Sequence, residues 1–417
     1  MLAFLLATPD AGAFCGTFVG AAGTSLVNNS SEVVMARDGD TTTLTLIMDY
    51  EGDAAEFALV LPVPEVLDAD DVGSVDDVLL EWIAAYSQPR AVAYTCEDVF
   101  ATTLTGSGCG NAIGCAMADG GKSGGVDVQS SFSAYGYDFV VLSAEESAGL
   151  EAWLAENGYA IPEGGEAILQ EYIDAGSYFL AAKVSLEQTP TAGAPVWLPP
   201  IRLTYTSEVF SLPIRIGTIS ADGPQEVVIY TLTDARTGGE VGVSNYDEIE
   251  LPTECSWPEG EALEDWYARK VDAALDAQGG AGWIREYSWT LKPEVSGGYH
   301  CDPCTAEPVA PGGTFAPFGL ASPAAHLTRL RVRYTPETAL EDLVLYESGV
   351  VGVEHQLKYV TYQKELEYFF PDCDAGWADD PGQCPDGPVL ACGTPGVRGS
   401  AAALMAAMVL LRRRRAR

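Results

Sequence analysis

Two alternating, β-branched runs, Glu32 to Arg37 and Thr41 to Asp49, flank Asp38-Gly39-Asp40, and this arrangement constrains the fold more than any other stretch of the 417-residue chain. A period of two puts one face of each run inward, and Gly39 can take the positive φ of a tight turn, so the segment predicts an antiparallel hairpin. A third strand, Phe57 to Leu61, ends at Pro62 and Pro64, which cannot donate ladder hydrogen bonds.

Helical periodicity follows over Val75 to Tyr86, with Val78, Leu79, Trp82 and Ile83 expected on one face. Ser143 and Glu146 form a capping box that opens a helix carrying Leu150, Trp153 and Leu154. Ile161-Pro162 starts another through about Ala175, and Phe179 to Leu186 returns as a strand. Beyond the proline-rich crossing Pro190 to Pro200, further strands are expected at Ile201 to Thr206, Ser211 to Ile216, Glu226 to Leu232, Trp283 to Leu291 and Leu327 to Tyr334. One more helix spans Glu259 to Ala277, with Leu263, Trp266, Tyr267, Val271 and Leu275 at i, i+3, i+4 spacing. The expectation is an α+β fold, mostly antiparallel sheet with several amphipathic helices, stapled by disulfides.

Ten cysteines suit an oxidising compartment. Setting Cys392 aside leaves an odd number, and the pairs needing least loop closure are Cys109 with Cys115, Cys301 with Cys304, and Cys373 with Cys384. The connectivity of Cys15, Cys96 and Cys255 is left open. A formal charge of −38, from 60 acidic and 22 basic residues, repels phosphate backbones and excludes nucleic acid as a partner.

Both ends read as export signals. Leu2 to Ala7 is apolar, and Ala11-Gly12-Ala13 supplies the small residues that signal peptidase needs, with cleavage after Ala13. The apolar run is short and no basic residue precedes it, which places the true start codon upstream. At the other end, Cys392-Gly393, a small-residue spacer, an apolar run from Ala401 to Leu411 and Arg412 to Arg415 follow in order. Eleven apolar residues span only about 16 Å as a helix, against ~30 Å of hydrocarbon, so the run serves as a temporary anchor.

This order resembles the myxobacterial C-terminal sorting signal MYXO-CTERM. The resemblance implies removal of the apolar helix by a dedicated membrane protease and retention through Cys392 on the outer membrane surface of a Gram-negative cell. The expected layout is a signal peptide over 1–13, an N-terminal α+β region over 14–195, a β-rich region over 196–371 that is separate from or continuous with the first, an Asp/Gly/Pro/Cys tether over 372–399, and the short apolar helix with its arginine cluster over 400–417.

The body also resembles a known family. Phe14 to Val19, Asp49 to Gly52 leading into Phe57 to Pro64, Leu142 to Ser147 with Leu154 to Pro162, Phe210 to Ile216, Cys301 to Cys304, Leu327 to Arg331 and Glu341 to Leu343 resemble, in order, the secreted bacterial proteins of domain-of-unknown-function family 2330. The resemblance implies an exported protein and transfers no functional residue.

Candidate chemistry is sparse. His300-Cys301-Asp302-Pro303-Cys304 contains a CxxC, but the prolines after it block the helix that would activate its first thiol, so a structural disulfide or cysteine-stabilised loop is favoured over metal binding by His300, Cys301 and Cys304 or redox catalysis. Gly120-Gly121-Lys122-Ser123 has Ala116 where a P-loop needs its first glycine. Asp68-Ala69-Asp70-Asp71-Val72-Gly73 has Val72 and Leu79 where a calcium loop needs oxygen ligands, and reads instead as helix N-terminal acid. Asp372, Asp374, Asp379, Asp380 and Asp386 in the tether offer calcium a weak site at most. Of three histidines, His326 reads as structural, and no nucleophile elbow occurs. Trp283, Tyr287, Trp289 and the aromatics of Tyr359 to Phe370 read as core, with a polysaccharide-binding stripe as the alternative.

The sequence thus favours, without deciding the enzyme question, a non-catalytic structural or binding protein of a myxobacterial envelope, with no resident cofactor. An envelope hydrolase and a calcium-dependent adhesin are the alternatives. Expected partners are the export machinery and the C-terminal-processing protease, envelope components or polysaccharide, and the membrane through the C-terminal segment.

Overall fold

The predicted hairpin forms and lies deep inside the protein. Ser31–Asp38 and Thr41–Gly52 pair antiparallel from Ser31 opposite Met48 to Asp38 opposite Thr41, and Gly39 takes a φ of 60°. The computed structural model describes residues 16–20, 26–27, 31–52, 56–94, 128–143, 147–162, 164–185, 196–221, 223–291, 315–367 and 369–377. In it the hairpin occupies the middle of the largest sheet. Ser31–Asp38 pairs parallel with Gln225–Asp234, and Thr41–Gly52 pairs antiparallel with Ile201–Thr206. Outward from Gln225–Asp234 come Ala325–Tyr334, Gly282–Leu291 and the short His355–Gln356; beyond Ile201–Thr206 comes Val72–Gly73. Strands from both sides of the proline-rich crossing therefore share one sheet.

A second, antiparallel sheet runs in the order Thr17–Val19, Glu56–Val63, Tyr178–Ser185, Tyr137–Leu142 and Val128–Ala134. The two sheets face each other across the main core, where Met35, Leu44 and Leu46 of the hairpin join a single buried cluster with Phe57, Leu59, Phe139 and Leu180. Four described α-helices cover the outer faces: α1 (Asp77–Ser87), α2 (Ser147–Glu156), α3 (Gly165–Asp174) and α4 (Leu263–Ala277). Leu150 and Leu154 of α2 and Leu169 of α3 bury against Val60, Phe179 and Ala181 of the smaller sheet. Leu80 and Ile83 of α1 bury against Val34, Tyr230 and Leu327 of the larger one, and Trp266, Tyr267 and Val271 of α4 against Ile284 and Tyr359. The result is the expected α+β architecture, in four layers.

Three local expectations are corrected. In α1 the buried residues are Leu80, Ile83, Tyr86 and Ser87, while Val78 is 68% exposed; the helix is rotated because Leu80 and Ile83, not Val78, meet the sheet. The acids of Asp68 to Asp71 do not lie at a helix N-terminus. Asp68 and Asp71 accept backbone N–H groups within their own turn, at 2.8 and 2.9 Å, and Asp76 caps α1 by accepting from the Val78 N–H. Ser211–Leu212 is a strand, but Pro213 ends it and Arg215–Ser220 continues as a 3₁₀ helix.

The disulfide also differs from the expected one. Cys373 pairs with Cys255, not with Cys384, across a sequence separation of 118 and a Cα–Cα distance of 5.1 Å. Strand Cys255–Trp257 pairs parallel with Lys358–Thr361, Ser256 bridges Asp372, and the Ser256 N–H donates to the Pro371 carbonyl at 2.8 Å, so sheet pairing delivers the two thiols to one place. The beginning of the predicted tether, through Trp377, is thus held against the body.

Asp342 ties three elements together. One carboxylate oxygen accepts from the Tyr172 hydroxyl at 2.7 Å, the Ile214 N–H at 2.9 Å and the Arg215 N–H at 3.0 Å. Burial pushes its pKa up, and the hydrogen bonds from Tyr172 and the two amides oppose that rise. Removing the carboxylate strands three part-buried donors at about 1 kcal/mol or more each. Asp342→Ala is therefore expected to lower the unfolding free energy by at least about 3 kcal/mol in urea titration, and Asp342→Asn by less, since its oxygen keeps one acceptor position.

Candidate functional site

The densest charge chemistry of the described residues sits on the strand Ala325–Tyr334. Alternation sends Leu330, Val332 and Tyr334 into the core between the sheets, while Arg329, Arg331 and Arg333 point to the helix side. Three guanidiniums in a row under helices require carboxylates, and the neighbouring strands supply them. Arg329 Nε and Arg331 Nε each donate to Glu286 at 2.5 Å, one to each oxygen. Arg331 also pairs with Glu226, and Arg333 bridges Glu226 at 2.8 Å and Asp272 of α4 at 2.7 Å. Arg329 Nη1 donates to the Ala84 carbonyl in the last turn of α1 at 3.0 Å, where the helix dipole favours a cation.

Glu286 is fully buried and reaches this cluster through a β-bulge. Arg285 lies opposite Leu330 and Tyr287 opposite Arg329, so Glu286 is an extra residue and Glu286 and Tyr287 both face the helices. The Tyr267 hydroxyl of α4 completes the site with a 2.6 Å hydrogen bond to Glu286. Burial pushes the Glu286 carboxyl up, but the Arg331 and Arg329 guanidiniums outweigh it and hold the group down at about 2. The same carboxylate, after burial, drives the Tyr267 hydroxyl well above its ordinary range.

The bulge also splits the aromatic run. Simple alternation would put Trp283, Tyr287 and Trp289 on one face, but Trp283 enters the core between the sheets while Tyr287 and Trp289 pack under α1. Trp283, Tyr287 and Tyr359 are buried, and they are core residues.

On the opposite face of the same strands lies a polar strip. His326 Nε2 is 2.8 Å from Ser288 Oγ, His326 Nδ1 is 3.1 Å from Thr290 Oγ1, and Ser288 Oγ donates to Glu240 at 3.2 Å. Arg285 joins Glu240 at 2.9 Å and Glu248 at 3.0 Å, and His355 Nε2 meets the Arg285 carbonyl at 2.9 Å. Proton accounting decides what this can do. The Glu240 carboxylate accepts the hydrogen bond of the serine O–H, so Nε2–H of His326 must donate to Ser288 and the Thr290 hydroxyl to Nδ1. That polarity is the reverse of a nucleophilic serine activated by a histidine base, and Ser288 and His326 are both closed to solvent. Burial lowers His326 to about 4, with Arg285 adding to the effect, and burial lowers His355 as well.

Most sequence-predicted site residues fall elsewhere. Ala13, Cys109, Cys115, Gly120 to Ser123, His300, Cys301, Cys304, Cys384 and Cys392 lie outside the described residues. Among the described residues, no group of three or more His, Cys, Asp or Glu is placed to hold a metal ion, and no helix is long and apolar enough to cross a membrane. A shallow recess of about 310 Å³ at the Tyr135-Gly136 turn, lined by Ser133, Tyr137, Asp138 and Lys183 among others, shares no residue with either polar cluster. The arginine row was missed as a cluster by sequence reading. Its signal was there, in three arginines at i, i+2, i+4 on one strand of a chain with only 22 basic residues.

The fold and its internal charge network define an α+β protein whose most conspicuous polar groups are committed to one another. The chain belongs to a bacterial family described as uncharacterized protein conserved in bacteria (DUF2330), which matches residues 9–346. No curated protein and no solved structure matches it.

Two outcomes follow from the charge geometry. Glu286→Gln leaves Arg329 and Arg331 buried without their shared anion, at a cost of about 3–5 kcal/mol, which a urea midpoint will read. His326 is harder to protonate folded than unfolded, so its contribution is complete above about pH 6.5 and is lost as pH falls toward about 4. Between those values the wild type should lose stability more steeply than His326→Asn; parallel profiles would reject the assignment.

Proposed function

We propose that this is an exported protein held at the surface of a Gram-negative cell through its C-terminal segment, with a structural or binding role and no catalytic one. The observation that carries the reading is the Cys255–Cys373 disulfide, a long-range crosslink that suits an oxidising compartment and fastens the start of the predicted tether. The C-terminal order of Cys392, apolar run and Arg412 to Arg415 supports attachment. Ser288, His326 and Glu240, the one described set with triad-like residue types, has its protons arranged against nucleophilic catalysis, which weighs against a hydrolase. The carboxylates of Asp68 and Asp71 are used on backbone amides, which weighs against a calcium-dependent adhesin built on that turn. The binding partner is an envelope component or polysaccharide.

Protease shaving of intact cells followed by mass spectrometry is the test. Surface-released peptides should include the body through about Trp377 with Cys255 and Cys373 linked, and none should contain Leu410 or Arg412. Recovery of the untrimmed, reduced chain only from lysed cells would reject both export and attachment.

A further inference from the structure

The Cys255–Cys373 crosslink closes a loop that contains much of the structure. α4, Gly282–Leu291, Ala325–Tyr334 and Lys358–Thr361 all lie between the two cysteines, and with them Tyr267, Asp272, Glu286 and the three arginines of the buried network. The segment carrying Cys373 is also fastened non-covalently. Asp372 accepts from the Asp374 and Ala375 N–H groups at 2.7 and 2.9 Å, and its own N–H and carbonyl pair with Gly376 to close a compact turn. Asp374 pairs with Lys270 and accepts from Trp266 Nε1 at 3.3 Å, which seats the turn on α4. The Cys373 N–H donates to the Ser256 carbonyl at 2.9 Å.

We propose that this turn and its disulfide form a force bypass: tension arriving from the C-terminal side passes from Cys373 directly to Cys255, and the backbone between them lies outside that covalent path. The geometry requires this of any pull applied beyond Trp377, because a covalent bond joins the entry point to Cys255 before the chain reaches the buried charge network. The inference rests on attachment through the C-terminal segment for its physiological use. A protein tethered at that end meets drag there first, and its arginine–glutamate network is the part least able to lose a partner. Docking on Trp266 and Lys270 keeps the turn seated, so the sulfurs are loaded while the surrounding sheet stays paired.

The full chain held between handles at its two ends in optical tweezers tests this. When completely extended, oxidised wild type should be shorter than Cys255→Ser/Cys373→Ser by about 420 Å, at ~3.6 Å per residue over the closed loop of 118. This readout does not need the variant to fold. Trypsin added under tension should cut the variant at Arg329 and Arg331 and spare those sites in the oxidised wild type until the chain outside the loop has unfolded and left it without its packing partners. Equal extended lengths, or cleavage at these arginines at the same force in both, would overturn the bypass. The measurement is made on purified protein, so its outcome is separate from that of the surface-shaving experiment.

Discussion

Glu286 is the group on which the rest of this structure turns. A carboxylate with no solvent exposure costs several kcal/mol to bury, and only converging cations and hydroxyls repay that cost. Arg329, Arg331 and Tyr267 do so from a neighbouring strand and an overlying helix, so the ion site fixes the position of three elements at once. Apolar side chains of the same volume would fill the space without penalty, which makes raw stability a poor explanation for the cluster. Register explains it better. A one-residue slip of Ala325–Tyr334 would drive the three arginines into the apolar core between the sheets and bring Leu330 and Val332 under Glu286. Each uncompensated charge makes that alternative untenable, so the bulge at Glu286 selects a single pairing.

The segments that resemble the family become intelligible as contacts. Phe210 to Ile216 and Glu341 to Leu343 are distant in sequence, yet Ser211 and Leu212 pair with Val344 and Leu343, and Asp342 caps the turn at Ile214 and Arg215. Thr17–Val19 lies on Glu56–Val63, and Gly20 bridges Ala160 in the block ending at Pro162. Leu327 to Arg331 carries two of the arginines that hold Glu286. Where the described structure places them, these blocks hold strands, caps and charges in position.

The sequence made local elements legible wherever period and punctuation agreed. Gly39 announced the hairpin, the i, i+3, i+4 stripe of Trp266, Tyr267, Val271 and Leu275 announced α4, and alternation announced Ile201–Thr206. What could not be read was anything decided by distant partners. The parallel pairing of Ser31–Asp38 with Gln225–Asp234 joins residues almost two hundred positions apart, and Cys373 finds Cys255 only because Ser256 and Asp372 are neighbours in the folded chain. The bulge was invisible for a related reason. Alternation through Trp283, Tyr287 and Trp289 is unbroken in sequence, and only the demand of two arginines for a carboxylate pulls Glu286 out of phase.

Burial of basic groups has a consequence for partners. Arg37, Arg90 and Arg329 are buried, and Arg285, Arg331 and Arg333 are mostly covered by the carboxylates they hold. A chain already at −38 thus spends part of its positive charge inside, where Arg285, Arg329, Arg331 and Arg333 are matched by the covered carboxylates of Glu240, Glu286 and Glu226. The acids left at the surface have few cations among them, so the outward field is that of a polyanion even where internal pairing is complete. Such a field favours neutral or basic partners and holds anionic polymers away, with salt weakening the effect over about 10 Å at 0.1 M. The arginine row of Ala325–Tyr334 does not offset that field, because Glu286 and Glu226 already occupy its guanidiniums.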